Sequence, residues 1–343
     1  MLENPGWYTA YTPYQAEVAQ GRLESLLNYQ TMVQELAGLY CSNASLLDEA
    51  SAGGEAFYMA YNLHNGEKIK FFIDEYVFTP TLEVIRTKAR YIGAEIVVGR
   101  YKDFLNGAYD PSEFCGVMVQ TPDSDGLITD YSNFFKKIDE LGHGTIKIVA
   151  SDLLALTISK NIASMGADIC FGSSQRFGVQ MGFGGPYSGF FAAIKDYVRK
   201  LPGRLIGISK DIEGNYALRM ALQTREQHIR REKATSNICT AQALLANISA
   251  MYAVYHGPKG LREIAFRINA LSQVAERIFR DYGFETISQD NEFCEYFDTI
   301  TLVRCDATAL TEAFLKKKIN IRMNDTTSVS LSFSEVTTHV DLQ

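Results

Sequence analysis

The chain has 343 residues, of which 46% are hydrophobic and 21% charged, and its formal net charge is −7. These averages exclude a disordered or fibrous protein, and the negative charge argues against a nucleic-acid partner, because such proteins carry a basic face that neutralises phosphates. No apolar run approaches the roughly 20 residues of a membrane span, so we expect a soluble globular protein with one large and one smaller domain.

An irregular arm and two helices precede the first predicted strand. The tyrosine-rich segment 6–15 is expected to be an extended arm or a loop, because Pro13 disfavours a helical residue before it. Apolar residues from Gln20 recur at three- and four-residue spacing up to Gly38, which predicts a helix. Ala52-Gly53-Gly54 is interpreted as a turn that opens a second helix, whose N-terminal amides could bind an anion.

Short apolar runs then alternate with helical stretches. Strands are predicted at 70–73, 95–98, 116–120, 146–150, 167–171 and 188–194. Helices are predicted at 81–91 and 133–141. Strands that alternate with helices pair in parallel through right-handed crossovers, so we predict an α/β fold with a mostly parallel sheet.

The C-terminal third reads as a second unit. A polar stretch covers 211–231 and is followed by a predicted helix over 240–255, a break at 256–260 and a helix over 261–282. Strands are predicted at 298–304 and 329–333. We therefore expect a large domain over 1–256 and a smaller α/β domain over 257–343, and the abrupt start and end of the sequence are typical of a fragment.

The six cysteines are scattered, with no CxxC pair and no histidine at zinc-finger spacing. In a chain of this size they are expected to be reduced and mostly buried, in a reducing compartment. We expect no metal site.

Several polar groups follow predicted strands, where ligands of open α/β sheets bind. They are Thr121, Ser151-Asp152 and Ser173-Ser174-Gln175. Asp152 is about as well explained by a helix cap as by a ligand. The glycine-rich run 178–186 suits either a surface turn or backbone packed closely against another chain or a ligand.

The charged segment 225–233 is most simply a solvated helix face. The hydroxyl and amide groups of Thr235, Ser236 and Asn237 follow it, directly before a predicted helix. They suit either a helix cap or contacts to a phosphate. No nucleophile elbow or serine–histidine–aspartate set is present.

Together, motifs spread along the whole chain resemble one family, the P-protein of the glycine cleavage system. They are Tyr11-Thr-Pro-Tyr-Gln15, Ser45-Leu-Leu-Asp-Glu49, Gly172–Gly178, Phe183-Gly-Gly-Pro186, Leu201-Pro-Gly-Arg204 and the long run Leu222–Gln242. The resemblance implies a fold-type I pyridoxal-phosphate (PLP) architecture, with a large α/β/α domain and a small C-terminal domain.

The P-protein resembles two homologous halves fused into one chain. The lysine that binds PLP lies only in the C-terminal half, in a His-Lys-Thr-Phe type motif. This chain resembles the N-terminal half. Alignment of Phe177 and the glycine run with that motif puts Gln175 at the lysine position, and a glutamine amide cannot bind PLP covalently. Asp152 resembles the aspartate that pairs with the pyridinium nitrogen, and Ala52-Gly53-Gly54 resembles the phosphate turn.

The resemblance implies that the chain supports glycine decarboxylation, with PLP bound by the C-terminal half as its partner and the aminomethyl group passed to the lipoylated H-protein. Thr235, Ser236 and Asn237 resemble a loop that reaches the PLP phosphate of the partner. Tyr11 and Tyr14 lie in the family's N-terminal arm and are expected to line the glycine pocket, with core or interface packing equally open.

Two other functions remain open. The chain could be a non-catalytic scaffold or regulatory subunit that stabilises a PLP enzyme by dimerising with it, or an independent binder of a small molecule. By resemblance, the compartment is the mitochondrial matrix in a eukaryote, which we favour, and the cytoplasm in a bacterium.

Overall fold

The computed structural model describes residues 1–9, 13, 15–141, 144–222, 231–234, 238, 241–290 and 295–342. The α-helices are α1 (Pro5–Tyr8), α2 (Gln20–Ala37), α3 (Glu49–Leu63), α4 (Thr79–Ile92), α5 (Tyr101–Leu105), α6 (Ser132–Glu140), α7 (Ala243–Asp281) and α8 (Ala307–Lys316). The strands are β1 (Cys41–Ser42), β2 (Lys70–Asp74), β3 (Glu95–Gly99), β4 (Phe114–Thr121), β5 (Leu127–Ile128), β6 (Ile146–Ser151), β7 (Ile169–Ser173), β8 (Gly189–Ala193), β9 (Leu205–Lys210), β10 (Tyr216–Ala221), β11 (Glu285–Thr286), β12 (Glu295–Tyr296), β13 (Thr299–Val303), β14 (Arg322–Met323) and β15 (Val329–Ser332).

A seven-stranded sheet forms the centre of the molecule, with the order β1-β8-β7-β6-β4-β2-β3. The five strands from β7 to β3 in this order are parallel, whereas β8 pairs antiparallel with both β7 and the edge strand β1. Parallel neighbours need crossover connections, and helices supply most of them. The predicted α/β fold with a mostly parallel sheet is confirmed.

The central strands are covered on both faces, so successive side chains enter two different cores. One core gathers Phe72 and Val149 with residues of α2, α6 and α7. The other gathers Phe71 and Ile148 with residues of α3 and α4. Full burial of such a side chain stabilises the fold by about 1.5–3 kcal/mol. Because the central strands are buried on both faces, their carboxyl ends are held in fixed positions.

Helix α3 begins earlier than expected. The Asp48 side chain accepts a hydrogen bond from the Ser51 backbone N–H at 2.7 Å and thereby caps the helix at Glu49. The predicted turn at Ala52-Gly53-Gly54 is therefore wrong, because these residues lie inside the helix. Gly53 serves close packing instead, since an added Cβ would lie 3.0 Å from the Phe171 ring.

A second, antiparallel sheet with the order β11-β13-β15-β14 covers the C-terminal part of the chain. The long helix α7 runs between the two sheets in sequence. Gly257 interrupts it with non-helical backbone angles (φ 64°, ψ 176°), and Pro258 follows. The predicted break at 256–260 is thus confirmed.

Two segments differ from expectation. The stretch after Asp211 contains β10, which pairs with β9 in a hairpin whose turn is held by the Asp211 carboxylate. Strand β10 has no alternating apolar pattern that would predict it from the sequence, because Leu218 is its single buried residue. Residues 5–8 form the short helix α1 in place of an extended arm, because Asn4 caps the Gly6 backbone N–H.

Within the described residues, no helix is long and apolar enough to cross a membrane. The cysteines in that part are free thiols, and Cys41, Cys115 and Cys170 are buried. Burial raises the pKa of the Cys41 thiol to about 11, so this side chain behaves as an unreactive apolar group.

Candidate functional site

The carboxyl ends of β4, β6 and β7 meet at one edge of the central sheet. Thr121 at the end of β4 lies in register with Ser151 of β6, and the Ser151 hydroxyl donates to the Thr121 carbonyl at 2.8 Å. Gly172 of β7 follows Phe171, which pairs with Ala150. The polar residues that the sequence places after these strands are therefore neighbours, as predicted from the parallel sheet.

Asp152 directly follows β6 and uses both carboxylate oxygens. Oδ1 accepts from the backbone N–H groups of Leu154 and Ala155 at 2.8 and 2.9 Å. Oδ2 accepts from the Arg176 Nε at 2.7 Å. Asp152 is thus both a cap and the partner of a cation, and that cation comes from the chain itself.

Arg176 joins the two sheets. Its Nη2 donates to Asp298 Oδ2 at 2.5 Å, and its guanidinium lies over the Phe297 ring at 5.5 Å. Asp298 is buried and directly precedes β13 of the second sheet. Burial raises the pKa of Asp298, and the Arg176 cation opposes this rise. Neither Arg176 nor Asp298 was predicted from the sequence to be a site residue, although Arg176 adjoins the predicted lysine position.

Two acidic residues begin α3 at the same edge. The Asp48 carboxylate already accepts the Ser51 backbone N–H, which occupies the amide that a bound anion would use. Glu49 follows, and burial raises its pKa to about 8, with the Asp152 and Asp48 carboxylates adding to the rise. This helix N-terminus therefore presents carboxyl groups in place of a phosphate cradle.

Gln175 lies in the turn after β7. Its side-chain Nε2 donates to the Pro186 carbonyl at 3.4 Å, which ties it to the glycine-rich run 178–186. Two lysines elsewhere in the chain are engaged in ion pairs: Lys160 pairs with Asp130 at 2.9 Å, and Lys147 pairs with Asp139 at 2.5 Å. Neither is placed to take the role of a lysine at position 175.

The residue before Gln175 is the centre of a buried hydroxyl network. The Ser174 Oγ accepts from the Tyr29 hydroxyl at 3.1 Å, and the Ser249 hydroxyl donates to the Ser174 carbonyl at 3.1 Å. Burial raises the pKa of Tyr29 to about 12, so its hydroxyl keeps the proton that it donates. Helices α2 and α7 thereby fix the backbone beside Gln175, a constraint that no sequence motif had indicated.

The five residues predicted to touch cofactor or substrate, Tyr11, Tyr14, Thr235, Ser236 and Asn237, lie outside the described residues. Their described neighbours do come together. Pro13 and the segment 241–243 line one small cavity of about 20 Å³, with Ser45 and Arg204 in its wall. The Ser45 hydroxyl donates to the Gln242 carbonyl at 2.9 Å, which anchors the start of α7 there.

Comparison with known proteins identifies this arrangement. The family model "Glycine cleavage system P-protein" matches residues 1–343. The chain is 50% identical over 343 residues to the mitochondrial glycine dehydrogenase (decarboxylating) of Pisum sativum and covers 31% of that protein. It is 48% identical over 347 aligned residues to the Photobacterium profundum enzyme of the same name and covers 34% of it.

Solved structures agree. A crystal structure of glycine decarboxylase (P-protein) in inhibitor-bound form superimposes with a TM-score of 0.87 at 31% identity, covering 98% of this chain and 77% of that one. The aspartate aminotransferase of Thermus thermophilus shares the fold, with a TM-score of 0.60 at 14% identity over 96% of this chain and 90% of that chain.

The mostly parallel sheet and these neighbours show that the chain has the fold of the fold-type I PLP enzymes. The chain belongs to the glycine cleavage system P-protein family. It spans about a third of the length of the curated relatives that it matches, in their N-terminal part. The resemblance seen in the sequence is confirmed.

The described residues do not fit PLP held covalently by this chain. Position 175 carries an amide, the Asp152 carboxylate is paired with Arg176, and the first turn of α3 carries Asp48 and Glu49 where a phosphate would need free amides. No reaction step can be assigned to PLP on these residues. Their arrangement instead holds the two sheets together through the contacts of Arg176 with Asp152 and Asp298.

Proposed function

We propose that this chain is the lysine-less N-terminal half of a PLP-dependent glycine decarboxylase and supports the active site of the lysine-bearing half. The observation that supports the proposal is a glutamine at position 175, which the resemblance aligns with the lysine position, within a chain that matches the family model over residues 1–343. PLP is then bound covalently by the C-terminal half, and this chain alone is inactive.

In the complete enzyme, glycine loses CO2 and its aminomethyl group passes to the lipoyl arm of the H-protein. PLP supplies the electron sink for that chemistry when bound. This chain's contribution is positional: Thr235, Ser236 and Asn237 donate hydrogen bonds to the phosphate held by the partner, and Tyr11 and Tyr14 line the glycine pocket. The shared cavity between Pro13 and residues 241–243 supports the placement of both segments at one site.

The glycine-rich run 178–186 is the surface that we propose for contact with the C-terminal half, in a dimer-like arrangement. Phe183 is fully exposed, and the Met181 side chain is 88% exposed. Phe183 also adopts a positive φ of 55°, which is uncommon for an aromatic residue. Apolar side chains that protrude from a loop are typical anchors of protein interfaces, so these two residues are expected to be buried by the partner.

The domain division and the compartment remain proposals as well. We place the boundary at residues 256 and 257, where Gly257 interrupts α7, with the large domain over 1–256 and the small domain over 257–343. The plant relatives are named mitochondrial and the Photobacterium profundum relative is not. We therefore propose the mitochondrial matrix for a eukaryotic source and the cytoplasm for a bacterial one.

The test is Thr235→Ala in the enzyme reconstituted with its C-terminal half. Loss of a hydrogen bond to a charged phosphate weakens PLP affinity roughly tenfold to a hundredfold, with little change in the melting temperature of the chain. Thr87→Ala on the exposed face of α4 is the control and should change neither quantity. An unchanged PLP affinity with a lowered melting temperature would instead make Thr235 a helix cap and favour a scaffold or regulatory subunit.

A further inference from the structure

The Arg176 guanidinium lies between two carboxylates. The Asp152 carboxylate at the end of β6 lies on one side of its guanidinium, and the buried Asp298 carboxylate before β13 lies on the other. The two carboxylates repel one another, and Arg176 is the cation that compensates both. Such a planar, multidentate group suits two carboxylates at once better than a lysine would.

The position of this cation is informative. In the alignment that puts Gln175 at the lysine position, Asp152 is the residue that would face the pyridinium nitrogen of a cofactor. In this chain the Arg176 Nε donates a hydrogen bond to that carboxylate at 2.7 Å. At the same edge of the sheet, the Asp48 carboxylate accepts a hydrogen bond from the Ser51 backbone N–H, an amide that a phosphate would use.

We propose that Arg176 replaces the cofactor in this half: it fills the cation position at Asp152, closes the former PLP site from within and bridges the two sheets through Asp298. In this proposal the site is closed by Arg176, independently of the loss of the lysine. The inference rests on the proposed function, because the proposed function identifies Gln175 with the lysine position.

A physical consequence distinguishes this proposal from simple loss of the lysine. If the missing lysine alone explained the lack of covalent PLP, restoring it would restore the adduct. If Arg176 closes the site, a lysine at position 175 has no room to hold the cofactor until the guanidinium is removed. Removal must also neutralise Asp298, because an unpaired buried carboxylate is strongly destabilising.

The experiment compares Gln175→Lys with the triple variant Gln175→Lys/Arg176→Thr/Asp298→Asn. Each protein is incubated with PLP and reduced with borohydride, and the pyridoxyl adduct is quantified in the peptide that carries position 175. Gln180→Lys, on the exposed end of the same segment, measures adventitious labelling of a surface lysine. We expect the triple variant to be labelled roughly tenfold more than the single variant, which should match Gln180→Lys.

Equal labelling of the single and triple variants, whether high or at the level of the control, would overturn the proposal. Neither result would touch the proposed function, which concerns the natural Gln175 chain and its partner. Mapping of the adduct to one peptide also keeps the result independent of lysines in a C-terminal half.

A second measurement does not depend on the folding of the triple variant. Arg176→Met leaves Asp152 and Asp298 facing one another without a cation, so the melting midpoint should fall by roughly 5–10 °C. Arg176→Met/Asp298→Asn should recover part of that loss, because the buried charge is gone. An unchanged midpoint for Arg176→Met would overturn the bridging role of Arg176.

Discussion

Glu49 should make the stability of this protein depend on pH in the neutral range. Burial at the start of α3 raises the pKa of Glu49 from 4.5 to about 8, and the neighbouring Asp152 and Asp48 carboxylates add to the rise. The folded chain therefore holds a proton that the unfolded chain releases. The stability from this group is fully present below pH 4.5 and is lost as the pH rises to about 8.

The size of the effect follows from the difference between the two pKa values. A rise from 4.5 to about 8 corresponds to about 5 kcal/mol of unfolding free energy. The side chain keeps partial contact with solvent, so we expect about 2–4 kcal/mol. The α3 N-terminus favours the carboxylate by only about 0.3–1 kcal/mol, which is too little to cancel this loss.

Glu49→Gln removes the ionisable group and keeps the shape of the side chain. Urea denaturation should give free energies of unfolding that differ by less than about 1 kcal/mol between variant and parent at pH 5, and a variant that is about 2–4 kcal/mol more stable at pH 8. Glu83→Gln, on the exposed face of α4, is the control and should show no such divergence. The same difference between variant and parent at both pH values would refute the reasoning.

Two further substitutions test the packing and the proposed interface. Gly172→Ala should destabilise the chain by about 3 kcal/mol in urea denaturation, because its Cβ would lie 2.1 Å from the Ser151 carbonyl oxygen, whereas Gly21→Ala in α2 has open space and should stabilise it by about 0.5 kcal/mol. A Gly172→Ala chain of normal stability would show that this strand contact is looser than described. Phe183→Ser should weaken association with the C-terminal half at least tenfold in sedimentation or calorimetry, while Tyr91→Ser, at another exposed aromatic, should leave it unchanged. Equal effects of these two serine variants would remove the 178–186 run from the interface.

The central sheet could be predicted from the sequence because its signal is local. Strands such as β4 and β6 are short, apolar and separated by helical periodicity, and parallel pairing follows from that alternation. The hairpin of β9 and β10 could not be found in this way, because its outer strand buries little and its turn is held by a side chain, Asp211. The start of α3 was misjudged because a cap at Asp48 outweighed the turn tendency of Gly53 and Gly54.

The site was predictable only in part. The resemblance correctly indicated the family, and the parallel strands correctly indicated that Asp152 and Gln175 are neighbours at one edge. The partner of Asp152 could not be read from the sequence, because Asp298 lies 122 residues from Arg176 in the chain. The hydroxyl network at Ser174 escaped prediction for the same reason: its members Tyr29 and Ser249 are joined only by folding.

We propose that this chain carries no covalent PLP and that the C-terminal half does. The complete enzyme should be reduced with borohydride in the presence of PLP, digested, and mapped by mass spectrometry. We predict a pyridoxyl adduct on one lysine of the C-terminal half and none on any peptide of residues 1–343. A stoichiometric adduct on a lysine of this chain, whether Lys147, Lys160 or another, would contradict the account.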